Sequence, residues 1–226
     1  MNGEVVLTDD VPATFTRAFT AAFAVRPRPI FSVALSGGST ARRCYERLAE
    51  VDDETFWPHL ELFWGDERCV PLDDEDSNFR LARVALGDHF DRVHAVHPMT
   101  CTEGAATAYD ERVRSVPRLD LVHLGLGPDG HTASLFPGSA ALETGPGHLV
   151  TPNEDPLGVN PHPRLTFTFE GIARAALVIV TVEGNAKHDA LDRVLTGDTS
   201  APAARIEAES LLWIVDADAL GSSQPR

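Results

Sequence analysis

In the stretch GLGPDGHTASLFPG, residues 125–138, Asp129 and His131 stand two positions apart in a glycine-rich turn that follows the apolar run LDLVHL. A histidine changes charge near neutral pH, and a carboxylate or backbone carbonyl within reach can orient its ring. Together they equip a site for proton transfer. The same residues also spell Gly125-x-Gly127-x-x-Gly130, the spacing of a dinucleotide-binding turn. Such a turn needs a long helix after its third glycine and no negative charge in that helix's first turn. Here Pro137-Gly138 stops any helix within a few residues, and Asp129 would oppose a pyrophosphate. The stretch therefore reads as an acid–base turn; the plainer alternative is a capping aspartate beside a solvent-facing histidine.

Three more clusters fall where apolar runs end. In SGGST, residues 36–40, Gly37 and Gly38 let the backbone approach an anion, and Ser39 and Thr40 offer hydroxyls. The helix that follows presents unpaired N–H groups, so a phosphate is favoured there, with an ordinary serine-capped turn as the alternative. The spacing is not that of a Walker loop. In FWGDERCVPLDDEDSNFR, Arg68 can grip phosphate oxygens with two N–H groups at once. The run Asp73, Asp74, Glu75, Asp76 lacks the spacing of a calcium loop and is expected to be a solvated loop capping a helix that starts near Asn78. In VTVEGNAKHDAL, Lys187 falls in a helix's first turn, where the dipole disfavours it, so it either faces a ligand or is a surface lysine. His94 and His97, three apart on an expected strand, would point to opposite faces; no metal site is expected.

These clusters need elements to hold them. Apolar runs rich in β-branched or aromatic residues mark strands at 30–35, 60–64, 119–124, 164–169, 177–182 and 211–215. Several are continuously apolar, as strands buried on both faces are. Helical patterns occupy 11–25, 40–51, 78–86, 104–115 and 184–196. Alternating strands and helices imply an α/β fold: an open, mostly parallel twisted sheet, Rossmann-like, with helices on both faces. Its ligand site lies beyond the carboxyl ends of the strands, where the strand order reverses. The segment RLTFTF alternates, which also suits a half-exposed antiparallel strand.

The whole chain bounds the function. Its 226 residues, 43% apolar and without a linker or repeat, read as a single domain, 1–226. With 34 acidic and 19 basic residues the formal charge is −15, which argues against nucleic acid or an anionic membrane as partner. A small anionic substrate would need a local cluster of cations. Cys44, Cys69 and Cys101, odd in number and without C-x-x-C spacing, are expected to be reduced thiols. The N-terminus has no basic and apolar leader, and no run approaches the ~18 apolar residues of a membrane span, so a cytoplasmic protein is expected.

Taken together and in this order, SGGST, GDERCVPLDDEDSN, GLGPDGHTASLFPG and RLTFTF…VTVEGNAK resemble the 6-phosphogluconolactonase family over nearly the whole chain. The third segment is the most specific. The resemblance implies the fold of sugar-phosphate isomerases and deaminases. It also implies hydrolysis of 6-phospho-D-glucono-1,5-lactone, the second step of the oxidative pentose phosphate pathway, with no cofactor or metal. By that resemblance His131 is the general base and Asp129 orients it. Gly37, Gly38, Ser39 and Thr40 line the sugar-phosphate site, Arg68 and Lys187 are its cations, and Arg164 is a weaker candidate. The only partner implied is the small sugar-phosphate lactone; a monomer is expected, an oligomer left open. Two positions depart from the family pattern: Ala41 replaces a frequent proline, and Asp74 a frequent histidine. A glucosamine-6-phosphate deaminase would carry an A-F-N-E-P-G-like segment after the histidine, where this chain has Ala133-Ser134-Leu135-Phe136-Pro137-Gly138. A non-catalytic sugar-phosphate sensor would need the phosphate loop but not the Asp129–His131 pair.

Overall fold

The computed structural model describes residues 3–221. Its strands are β1 (Glu4–Leu7), β2 (Phe31–Leu35), β3 (Leu60–Trp64), β4 (Asp66–Arg68), β5 (Ala95–Val96), β6 (Leu119–Gly125), β7 (Val150–Asn153), β8 (Arg164–Phe167), β9 (Ala175–Val182) and β10 (Ser210–Val215). Its helices are α1 (Val11–Ala24), α2 (Ser39–Leu48), α3 (Asn78–Leu86), α4 (Ala105–Arg114), α5 (Phe169–Ala173), α6 (His188–Thr196) and α7 (Ala217–Leu220), joined by short 3-10 turns.

Seven strands form one parallel sheet in the order β1-β10-β9-β6-β2-β3-β5. From β2 the chain moves outward to β3 and β5, then returns to lay β6 on β2's other side. The order reverses there, so the ends of β2 and β6 open side by side onto a crevice. Every residue of β2 is buried, as are the first six of β6, which accounts for their mostly apolar runs.

Helices cover both faces. Val11, Phe15, Phe19 and Phe23 recur every fourth residue on α1, and all are buried. Asp10 caps that helix by accepting from the Ala13 N–H at 2.8 Å. Phe19 meets Phe31 of β2 at 5.4 Å, and Phe15 meets His123 of β6 at 4.3 Å. Phe63 points the other way from β3, next in line to Leu62, and meets Tyr109 of α4 at 6.5 Å.

The second sheet is small, three-stranded and antiparallel, in the order β4-β8-β7. It continues from the end of β3 through Gly65, whose N–H donates to Leu35 O at 2.9 Å and whose carbonyl accepts from Phe167 N–H at 2.7 Å. The segment RLTF is thus antiparallel, but it is not half-exposed: all four residues are buried. Both sides of β8 are covered, so alternation in its sequence does not signal a wet face.

Two further expectations are corrected. Cys69 and Cys101 are joined by a disulfide, their Cα atoms 5.2 Å apart, and only the buried Cys44 is free. Cys69 follows β4 and Cys101 lies in the loop after β5, so 32 residues of folded chain bring together what sequence spacing keeps apart. The run Asp73–Asp76 does not cap α3: Ser77 does, accepting from Arg80 N–H at 3.2 Å. Glu67 reinforces that end, taking the N–H groups of Asn78 and Phe79 at 2.8 Å each. Burial pushes the Glu67 carboxyl above the usual range, against the pull of these N–H groups. Among the described residues, no helix is long and apolar enough to cross a membrane.

Candidate active site

The turn after β6 is locked before it does anything else. Gly127 N–H donates to His131 O at 2.8 Å, Gly130 N–H to Gly127 O at 3.0 Å, and Ala203 N–H to Gly130 O at 3.0 Å. Thr132 Oγ1 donates to Gly125 O at 2.9 Å, and Ala133 is held at a φ of 47°, a conformation side chains seldom adopt. No helix follows Gly130, so the glycines serve something other than a pyrophosphate. A Cβ on Gly127 would lie 2.1 Å from His131 Nδ1. Gly130 has a φ of 89°, and a Cβ there would lie 2.6 Å from that of Ala201. One glycine admits the imidazole and the other fits the turn against the chain behind it.

Within this turn His131 Nδ1 lies 2.6 Å from Asp129 Oδ1, and the His131 backbone N–H donates to the same oxygen at 3.1 Å. An ionised carboxylate only accepts, so Nδ1 carries the proton and Nε2 keeps a free lone pair. Burial alone would raise the Asp129 carboxyl. The hydrogen bonds and charge of His131 outweigh it and hold the group below the ordinary aspartate range. Phe136 meets the ring edge-on at 5.0 Å.

His131 borders a cleft of about 260 Å³ at the crevice between β2 and β6. Gly37, Gly38, Arg68 and Lys187 border it too, so the four separate clusters of the sequence converge. Gly38 is the N-cap of α2 and no side chain caps that end, which leaves first-turn N–H groups open to an anion. Lys187 stands at the N-cap of α6, half-buried. Burial lowers its ammonium below the usual lysine range, with Asp129 partly opposing that shift. Arg68 donates to the Asp76 carbonyl, while its Nε is buried without a partner.

Ser39, Thr40 and Arg164 are not on the cleft wall. Ser39 is exposed on the outside of α2's first turn. Arg164 lies directly across the β4–β8 ladder from Arg68, 5% exposed, donating to Pro161 O at 2.7 Å with its Nε and NH1 unpartnered. Burial and the neighbouring Arg68 lower its guanidinium below the usual range.

Asp66 and Asn78 also border the cleft, although sequence reasoning assigns them no functional role. Asp66 is 6% exposed and accepts from Ser134 Oγ at 2.6 Å; Asn78 Nδ2 donates to the Asp66 carbonyl at 2.9 Å. Their only signal was position, in GDER and DSN beside apolar runs, and surface loops look the same. Among the described residues no three His, Cys, Asp or Glu side chains gather as metal ligands, the Asp73–Asp76 run included.

Residues 4–213 match the family model described as glucosamine-6-phosphate isomerases/6-phosphogluconolactonase. The 6-phosphogluconolactonase of Synechocystis sp. is 37% identical over 219 residues, spanning 89% of this chain and 88% of that protein. That of Mycobacterium leprae is 36% identical over 221 residues, 89% of each. The crystal structure of 6-phosphogluconolactonase from Thermotoga maritima superposes with a TM-score of 0.81 at 32% identity, covering 95% of this chain and 100% of that one. A monomeric glucosamine-6-phosphate deaminase, 17% identical with a TM-score of 0.81, shares the fold.

Proposed function

The chain belongs to the glucosamine-6-phosphate isomerase/6-phosphogluconolactonase family, as an enzyme with 6-phosphogluconolactonase activity, and on that premise we propose how its cleft hydrolyses 6-phospho-D-glucono-1,5-lactone. The observation that carries the mechanism is the 2.6 Å bond from His131 Nδ1–H to Asp129. It leaves Nε2 with its lone pair, on a ring that borders the cleft. Nε2 takes a proton from water as the water oxygen bonds to the lactone carbonyl carbon. The resulting imidazolium, stabilised by Asp129, returns that proton to the ring oxygen as the C–O bond breaks. The product is 6-phosphogluconate, and its new carboxylic acid ionises and releases a proton. This is the second step of the oxidative pentose phosphate pathway.

Substrate orientation comes from its phosphate. Arg68, Lys187 and the open N–H groups at Gly37, Gly38 and the start of α2 offer cations and donors to the same cleft. Arg164, behind Arg68, adds positive potential without lining the cleft.

The direct test supplies freshly generated 6-phosphogluconolactone and follows acid release above the spontaneous rate. Enzyme-dependent release supports the reading; a rate equal to the blank overturns it.

A further inference from the structure

A wholly buried chain of polar side chains runs one layer beneath the cleft. Tyr45 of α2, His123 of β6 and Thr181 of β9 are 0%, 0% and 3% exposed. The Tyr45 hydroxyl oxygen accepts from Ser36 N–H at 2.7 Å, and its proton reaches toward Ser36 O at 3.2 Å. His123 Nδ1 lies 2.9 Å from that hydroxyl, and its Nε2 lies 2.9 Å from Thr181 Oγ1. One proton arrangement satisfies all of them: Thr181 donates to Nε2, Nδ1–H donates to the Tyr45 oxygen, and Tyr45 donates to the Ser36 carbonyl. Burial pushes the His123 imidazole down to about 3, so it stays neutral and serves as a two-ended connector.

Three buried polar side chains carry a desolvation cost that an apolar trio would not. Their placement gives that cost a purpose. Ser36 is the residue between β2 and the Gly37-Gly38 turn. His123 stands two residues before Gly125, where the turn bearing Asp129 and His131 begins. Thr181 stands two residues before Glu183 and the segment leading to Lys187. The chain thus braces the roots of the three segments that bring phosphate donors and base into one cleft. A peptide unit is planar and trans, so a Ser36 carbonyl held down toward Tyr45 turns the Gly37 N–H the opposite way, toward the cleft.

We propose that Tyr45, held by His123 and Thr181, is a positioning residue for substrate phosphate: its hydroxyl fixes the Ser36–Gly37 peptide and so aims the N–H groups of the anion turn. The assignment rests on the lactonase reading and extends it to residues that touch neither substrate nor base.

The test is steady-state kinetics of Tyr45→Phe, which removes only the hydroxyl, with inorganic phosphate as a competitive inhibitor. KM and the phosphate inhibition constant should rise together by about tenfold, the scale of one misdirected hydrogen bond, with kcat within about threefold of wild type. KM for unphosphorylated gluconolactone should not move. Thr181→Val should shift KM the same way and Thr181→Ser should restore it, which keeps the inference testable if Tyr45→Phe folds poorly. A lowered Tm with KM and phosphate inhibition unchanged would make the chain a packing feature only and overturn the proposal. If the wild type released no acid from the lactone, the lactonase reading would fail by itself; calorimetric binding of inorganic phosphate to wild type and Tyr45→Phe would still decide the positioning role.

Discussion

With Nδ1–H committed to Asp129, His131 has one nitrogen left for chemistry, and both neighbours of that arrangement can be tested. Gly127 admits the ring, since a Cβ there would sit 2.1 Å from Nδ1. Gly127→Ala should therefore push the imidazole out of place and lower kcat about 10²-fold, the usual effect of an ångström of misplacement. Wild-type kcat in that variant would show that the contact is not needed. Asp129 makes a prediction about pH. Its carboxyl lies below the ordinary aspartate range, so it stays ionised throughout the neutral range and goes on accepting the Nδ1–H there. Asp129→Asn removes the charge that stabilises the imidazolium formed in the reaction, so kcat should drop. Wild-type kcat in that variant would deny the electrostatic role. The same depression makes the carboxylate's contribution to stability present above the ordinary aspartate value of about 3.9 and lost as pH falls through its lower folded value.

Elements bring Arg68 and Lys187 to the same cleft as His131, and the sequence shows some of them better than others. The parallel core was legible because β2, β6 and β9 are mostly apolar runs, and α1 because four apolar residues fall every fourth position. β4 was not legible: Asp66-Glu67-Arg68 has no local reason to be a strand and becomes one only by pairing with β8. β7 contains Pro152, tolerated because this strand is the outer one of the small sheet. The candidate site divides the same way. His131, Asp129 and the glycine turns announce themselves locally, whereas Asp66 and Asn78 reach the cleft through tertiary pairing. Arg68 depends on β4 for its place, so its effect should be on substrate phosphate. Arg68→Ala should lower kcat/KM for the phosphorylated lactone about 10- to 100-fold, and plain gluconolactone should be a poor substrate of the wild type. Equal kcat/KM for the two lactones would remove the phosphate assignment.

At the scale of the molecule, a chain of net charge −15 gathers Arg68, Lys187 and the uncapped end of α2 around one crevice, so its affinity for an anion is local rather than general. The core that holds this geometry also hides the thiol chemistry. Cys44 is buried, and burial first, then the nearby Glu183, keeps its thiol well above the usual range, while Cys69 and Cys101 are bonded to each other. A thiol reagent should find no reactive group in the native, unreduced protein and one on unfolding; three on unfolding would show that the disulfide does not form.

The central claim is that His131 is the base and the phosphate is held elsewhere, and one variant separates the two. His131→Asn should bind 6-phosphogluconate with wild-type affinity by calorimetry, because Arg68, Lys187 and the α2 end are intact. Its acid release from 6-phosphogluconolactone, with the pH-dependent spontaneous rate subtracted at every point, should fall about 10²- to 10⁴-fold. Normal product binding together with wild-type turnover would contradict the account and reduce the turn at His131 to a structural one.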